Sequence, residues 1–74
     1  MTFGSGDEVT ITYFRRTIDG VVKQASPDGK SLLLSFEGIL GGFAGLMPVS
    51  MTEPCTYVDM IWGEPVEIDL AFMG

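Results

Sequence analysis

The chain has 74 residues, of which 46% are hydrophobic, and its ten acidic and four basic residues give a net charge of −6. This length supports one small domain, because such a chain buries only about 60% of the surface that it exposes when unfolded. The negative charge repels the phosphates of double-stranded nucleic acid and of anionic lipids, so neither double-stranded nucleic acid nor a membrane is an expected partner.

The first two strands are predicted from alternating residues near the N-terminus. Glu8–Phe14 carries three apolar residues on one face, namely Val9, Ile11 and Tyr13, which is the pattern of a half-buried strand. Thr17–Ala25 is predicted as the second strand, with Gly20 marking a bulge or a sharp bend. Residues 1–6, which precede the first strand, are expected to form a flexible N-terminus.

A tight turn and a third strand follow. Ser26–Gly29 reads Ser-Pro-Asp-Gly, which places proline and glycine at the positions that a β-turn prefers. The strand over residues 31–36 then alternates serine with larger apolar side chains. The residues expected to face the core are Leu32, Leu34 and Phe36.

Three further strands are predicted in the second half of the chain. Leu46–Met51 is apolar, but Pro48 lacks an N–H for the sheet, so this segment is expected to be an edge strand or a short piece. Tyr57–Trp62 is predicted as the next strand. Val66–Phe72 is the last strand and shows the clearest alternation of apolar and acidic residues.

Five or six short strands without a helical pattern predict an all-β fold. We expect a small antiparallel meander rolled into an SH3-like or similar barrel, because closing the sheet removes unpaired strand edges. Residues 7–74 are predicted to form this single domain.

The glycine-rich stretch from Glu37 to Met47 is the least usual part of the sequence, and we expect it to be the long connection of the barrel. The glycines expected to give this loop its shape are Gly38, Gly41, Gly42 and Gly45. No Gly-Lys-Ser/Thr follows, so a phosphate-binding loop is not expected. Two interpretations remain: the apolar side chains plug one end of the barrel, or they form an exposed patch that a partner covers. The candidate partner-binding residues are Ile39, Leu40, Phe43, Leu46 and Met47.

Catalytic and metal-binding chemistry has little support in this composition. Histidine is absent, which removes the commonest general base and histidine metal sites. Cys55 is the single cysteine, so no intrachain disulfide can form, and we expect an incidental role for it. Glu67 and Asp69 share the outward face of the last strand, where we expect a solvated surface. We therefore predict no enzyme activity, no cofactor and no metal site.

The preferred hypothesis is a non-enzymatic protein–protein interaction module that docks through residues 38–47. It would act as an assembly, adaptor or inhibitory subunit on another protein or on a second copy of itself. The alternative is a small-ligand or nucleotide-binding barrel in which Arg15 and Arg16 bind an anion. Trp62 is expected in the core or at an interface, since no basic residues surround it. Neither a secretory leader nor a run of about 18 apolar residues is present, so a cytoplasmic location is expected, or the virion or host cytoplasm for a virus-encoded subunit.

Overall fold

The computed structural model describes residues 3–53 and 56–71, and these form one closed barrel of six antiparallel strands. The strands are β1 (Glu8–Tyr13), β2 (Arg16–Ala25), β3 (Ser31–Leu40), β4 (Phe43–Glu53), β5 (Thr56–Asp59) and β6 (Pro65–Leu70). Each strand pairs with the next one in sequence, and β6 pairs with β1 to close the sheet. The predicted all-β meander, rolled into a small SH3-like or similar barrel, is thereby confirmed. No helix in the described part of the chain is long and apolar enough to cross a membrane.

The core fills the inside of the barrel with every second residue of its strands. The predicted inward residues of β1 and β3 are all buried: Val9, Ile11, Tyr13, Leu32, Leu34 and Phe36. Val22, Met47, Val49, Tyr57 and Val66 complete the interior from the other strands, together with Leu40 and Phe43. The alternation weakens at the end of β6, where Leu70 is 41% exposed. Phe72 and Cys55 lie outside the described residues.

Gly20 lies in β2, between β1 and β3. It pairs with Val9 on one side and with Phe36 on the other. A Cβ atom at this position would lie 2.6 Å from Ile11 Cδ1 and 2.7 Å from the Ser35 carbonyl oxygen. Glycine is therefore required here by the close approach of the strands, and the register of β2 shifts a few residues later, between Val22 and Gln24.

The expectation of a long glycine-rich connection is wrong. Strand β3 continues to Leu40 and β4 begins at Phe43, which leaves only Gly41 and Gly42 as a two-residue turn. Gly38 and Gly45 adopt positive φ angles of 88° and 80°, and the register shifts between Ser35 and Ile39. Glycines that usually signal a loop here form a bulge inside a hairpin, which bends the strands without ending their pairing.

The prediction that Pro48 confines its segment to an edge or a short strand is also wrong. Strand β4 is the longest in the barrel, with 11 residues, and it pairs with both β3 and β5. The Pro48 carbonyl accepts a hydrogen bond from the Met60 N–H, 3.0 Å away. Because the N and O atoms of a residue in an antiparallel strand face the same neighbour, the proline nitrogen points beyond the end of β5. The missing N–H of proline therefore falls where the pairing of β4 with β5 ends.

The strand predicted over Tyr57–Trp62 is shorter than expected, since β5 ends at Asp59. Residues 60–64 form a turn instead, held by the Asp59 side chain. At the N-terminus, residues 3–6 lie against the barrel. Phe3 packs on the core with its ring 6.1 Å from that of Tyr57, and the Gly6 N–H donates to the Val22 carbonyl at 2.7 Å.

Candidate functional site

The meander places three of its turns at the same end of the barrel. Because neighbouring strands are antiparallel, the β1–β2, β3–β4 and β5–β6 turns must lie together. The first is Phe14-Arg15, the second is Gly41-Gly42, and the third is formed by residues 60–64. We call these three turns, with Ile39 beside the second, the hairpin end.

The hairpin end carries the most exposed apolar side chains of the described residues. Five of them are more than half exposed, and all five lie in these turns or two residues away: Phe14 (64%), Ile39 (64%), Met60 (56%), Ile61 (61%) and Trp62 (59%). The next most exposed large apolar residues, Val21, Leu46 and Leu70, are 39–41% exposed and lie along the strands. Exposed apolar surface is therefore concentrated at one end of the barrel.

A chain of aromatic rings crosses this end. The Phe14 and Tyr13 ring centroids are 4.6 Å apart, those of Tyr13 and Phe43 are 6.0 Å apart, and those of Phe43 and Trp62 are 5.2 Å apart. All three pairs meet edge to face, an arrangement worth about 0.5–1.5 kcal/mol per pair beyond the burial of their surface. The chain links the first turn to the third through the core.

The two glycines of the second turn leave room for these rings. A Cβ atom on Gly41 would lie 2.5 Å from Tyr13 Cε2, and one on Gly42 would lie 2.6 Å from Trp62 Cη2. Gly41 also has a φ angle of +60°, which glycine adopts at little cost. Larger residues in this turn would displace the aromatic side chains.

The third turn is built around the carboxylate of Asp59, which is 1% exposed. Its Oδ2 accepts from the Tyr13 hydroxyl at 2.8 Å and from the Glu64 N–H at 3.0 Å. Its Oδ1 accepts from three further backbone N–H groups, those of Ile61, Trp62 and Gly63. One side chain thereby fixes the backbone that carries the exposed Met60, Ile61 and Trp62.

The hydrogen bonds to Asp59 set the ionisation of both partners. Burial alone raises the pKa of the Asp59 carboxyl, but hydrogen bonds from the Trp62 N–H, the Tyr13 hydroxyl and other backbone N–H groups outweigh burial and lower the pKa below its ordinary value. The pKa of Tyr13 is raised to about 12 by burial, by its hydrogen bond to Asp59 and by the negative charges of Asp59 and Glu64. Tyr13 therefore stays a proton donor, and Asp59 stays negatively charged, at neutral pH.

An open cleft lies between the first and third turns. It is lined by Tyr13, Phe14, Gly42, Trp62 and Glu64. Of these residues Phe14 and Trp62 are exposed, Tyr13 is buried, and Glu64 is half-buried. The cleft is aromatic, with one acidic group.

The structure separates the residues that the sequence suggested for partner binding. Leu40, Phe43 and Met47 lie in the core, with exposed fractions of 7% or less, and only Ile39 and Leu46 reach the surface. Of these two, only Ile39 lies at the hairpin end. Most of the exposed apolar side chains at the hairpin end therefore lie outside the predicted set, namely Phe14, Met60, Ile61 and Trp62.

Arg15 and Arg16, the candidate anion-binding residues, are both exposed at the first turn. They lie at the same end as the apolar side chains but do not line the aromatic cleft. The second turn brings Gly41 and Gly42 to this end as well.

The sequence pattern does not point to Phe14, Met60 or Ile61 as site residues, and it places Asp59 inside the strand predicted over Tyr57–Trp62. One available signal was Asp59 at the start of an apolar run that ends at Gly63, since aspartate side chains often bind the backbone N–H groups of a following turn.

Comparisons with protein families, with curated proteins and with solved structures find no match. In the described ranges no group of three or more acidic, cysteine or histidine residues could hold a metal ion.

Proposed function

We propose that this protein is a non-enzymatic protein–protein interaction module, an assembly, adaptor or inhibitory subunit, that docks through the hairpin end. The observation that carries the proposal is the concentration there of all five large apolar side chains that are more than half exposed among the described residues. Contiguous exposed apolar surface on a small domain typically marks an interaction site. Aromatic and arginine side chains are also the residue types that contribute most to binding energy at interfaces.

Backbone strain at the first turn supports the same conclusion. Phe14 and Arg15 have φ angles of 49° and 69°, as a type I′ turn requires, yet this turn strongly favours asparagine and glycine. A left-handed conformation costs an ordinary residue roughly 1–2 kcal/mol. Large side chains kept in such a turn indicate that the side chains themselves have a role.

The third turn supports the proposal through its rigidity. The five hydrogen bonds to Asp59 hold residues 60–64 in place before any partner arrives. Preorganised side chains lose less conformational entropy on binding, so more of the contact energy becomes affinity.

The net charge favours another protein over a second copy. Two chains of charge −6 repel each other, whereas a basic partner is attracted. Self-association through the same end is then the weaker form of the interaction.

The experiment compares a variant with substitutions at the hairpin end, the end variant, with a variant with substitutions on the strands, the wall variant. Phe14→Ser with Trp62→Ser removes two exposed aromatic side chains of the hairpin end, and Val21→Ser with Leu70→Ser removes two exposed apolar side chains from the strands. Each protein is measured by light scattering for its mass and by quantitative co-precipitation from a lysate of the source. Proteins bound by the wild type should be lost by the end variant and retained by the wall variant. Equal capture and equal mass for the wild type and the end variant would refute docking at this end.

The same preparation tests the alternative function. Pyrophosphate binding is measured for the wild type and for Arg15→Ala with Arg16→Ala. Binding that depends on the two arginines, with protein capture unaffected by the end variant, would favour the anion-binding barrel instead.

A further inference from the structure

The aromatic cleft has the composition of a site for an organic cation. Tyr13, Phe14 and Trp62 line it together with Glu64, whose negative charge acts on Tyr13. The face of an aromatic ring carries partial negative charge and attracts an ammonium or guanidinium group, most strongly when the ring belongs to tryptophan. Aromatic rings alone would accept any apolar group, but a carboxylate among them selects for positive charge.

The network beneath the cleft adds to this selectivity. The Tyr13 hydroxyl donates to the buried Asp59 carboxylate at 2.8 Å, which increases the electron density of the Tyr13 ring. Asp59 also places a second negative charge, which is buried and little screened by water, at the hydroxyl of that ring. Arg15, the basic residue that directly follows Phe14 in the sequence, does not line the cleft.

We propose that the cleft binds a cationic side chain of the partner, an alkylated ammonium or a guanidinium group, between Phe14 and Trp62 with Glu64 as its counter-charge. This inference rests on the proposed function, because it assigns the chemistry of the group that the partner inserts. It agrees with the charge of −6 of the whole chain, which attracts a basic segment from a distance.

The test uses a pair of probes with the same shape and different charge. Choline and its neutral analogue 3,3-dimethyl-1-butanol are titrated into the full chain, and binding is followed by NMR shifts of the residues lining the cleft. Emission from Trp62, the single tryptophan, gives an independent signal for proteins that retain it. Choline should bind at least about fivefold more tightly than the alcohol. Methylguanidinium, titrated in the same way, distinguishes an arginine-like from a lysine-like ligand.

Two variants separate charge from shape. Glu64→Gln should weaken choline binding about threefold or more and leave binding of the alcohol unchanged. Glu67→Gln removes the same charge from an exposed position of β6 outside the cleft and should change neither. Trp62→Leu should weaken choline more than the alcohol, because leucine retains apolar surface but has no ring face.

The outcomes distinguish this inference from the proposed function. Equal affinities for choline and the alcohol, no binding of either, or no effect of Glu64→Gln would overturn the cation site. If the end variant still loses its protein partners in that case, the interaction module stands without it. Choline selectivity combined with unchanged protein capture by the end variant would instead support the cation site and refute its use in protein docking.

Discussion

Replacing Arg15 with glycine is expected to stabilise the barrel, because Arg15 occupies a two-residue turn with a φ angle of 69°. This conformation costs a non-glycine residue roughly 1–2 kcal/mol, whereas glycine adopts it freely but loses about 0.5–1 kcal/mol more backbone entropy on folding. The net gain is about 0.5–1 kcal/mol, since the exposed arginine side chain is not part of the core. For a domain of this size, such a gain raises Tm by about 2–8 °C.

Arg16→Gly is the matched control, because it removes the same side chain and the same charge from the neighbouring residue. Arg16 belongs to β2 and pairs with Tyr13, so glycine there should lower stability by about 0.5–1 kcal/mol. Thermal and urea unfolding followed by circular dichroism measure both variants. Arg15→Gly is expected to raise Tm, and Arg16→Gly is expected to lower it. A lower Tm for Arg15→Gly, or shifts of the same sign for both variants, would refute the assignment of strain to this turn.

Three further predictions concern the groups that shape the site. Asp59→Asn should cost about 2–4 kcal/mol in urea unfolding, because an amide cannot accept all five hydrogen bonds, while the exposed Asp69→Asn should change stability by less than about 0.5 kcal/mol. The pKa of the Asp59 carboxyl is lowered from 3.8 in the folded chain, so the stability that its charge provides is complete above pH 3.8 and is lost as the pH falls through the pKa of the folded chain. If the free energy of unfolding of the wild type depended on acid pH in the same way as that of Asp59→Asn, this reasoning would be contradicted. The pKa of Tyr13 is raised from 10.0 to about 12 in the folded chain, so its contribution to stability is present below pH 10 and is lost between pH 10 and 12. The free energy of unfolding of the wild type should therefore fall across this range, and Tyr13→Phe should not show this fall. Gly20→Ala should lower Tm more than Gly42→Ala, because a new Cβ meets a backbone oxygen at Gly20 and only the exposed Trp62 ring at Gly42; equal losses would contradict this reasoning.

Local pattern was sufficient to predict most of the barrel. The inward faces of β1 and β3 follow directly from period-two alternation, and the turn at Ser26–Gly29 is closed by the hydrogen bond from the Gly29 N–H to the Ser26 carbonyl at 2.9 Å. These features depend on residues close together in sequence. A small chain with this many alternating segments has few ways to bury them other than a closed sheet.

The glycine-rich hairpin and the third turn could not be predicted in the same way. Positive φ angles at Gly38 and Gly45 are compatible with a loop or a bulge, and only the continued pairing of Ile39 with Ala44 decides between them. The turn after β5 depends on Asp59, whose Tyr13 partner is 46 residues away in sequence. An apolar Met-Ile-Trp run therefore resembles a continuing strand until the tertiary contact is known.

The hairpin end combines two features that each lower the stability of the free protein. The first turn holds Phe14 and Arg15 at positive φ angles, and the third turn holds Trp62 with 59% of its surface exposed. A chain of this length has only a few kcal/mol of net stability, so neither feature is expected without a compensating interaction. Asp59 adds a buried charge that accepts a hydrogen bond from Tyr13 and fixes the backbone around Trp62. Docking of a partner on the aromatic side chains, as proposed above, would explain these three features together.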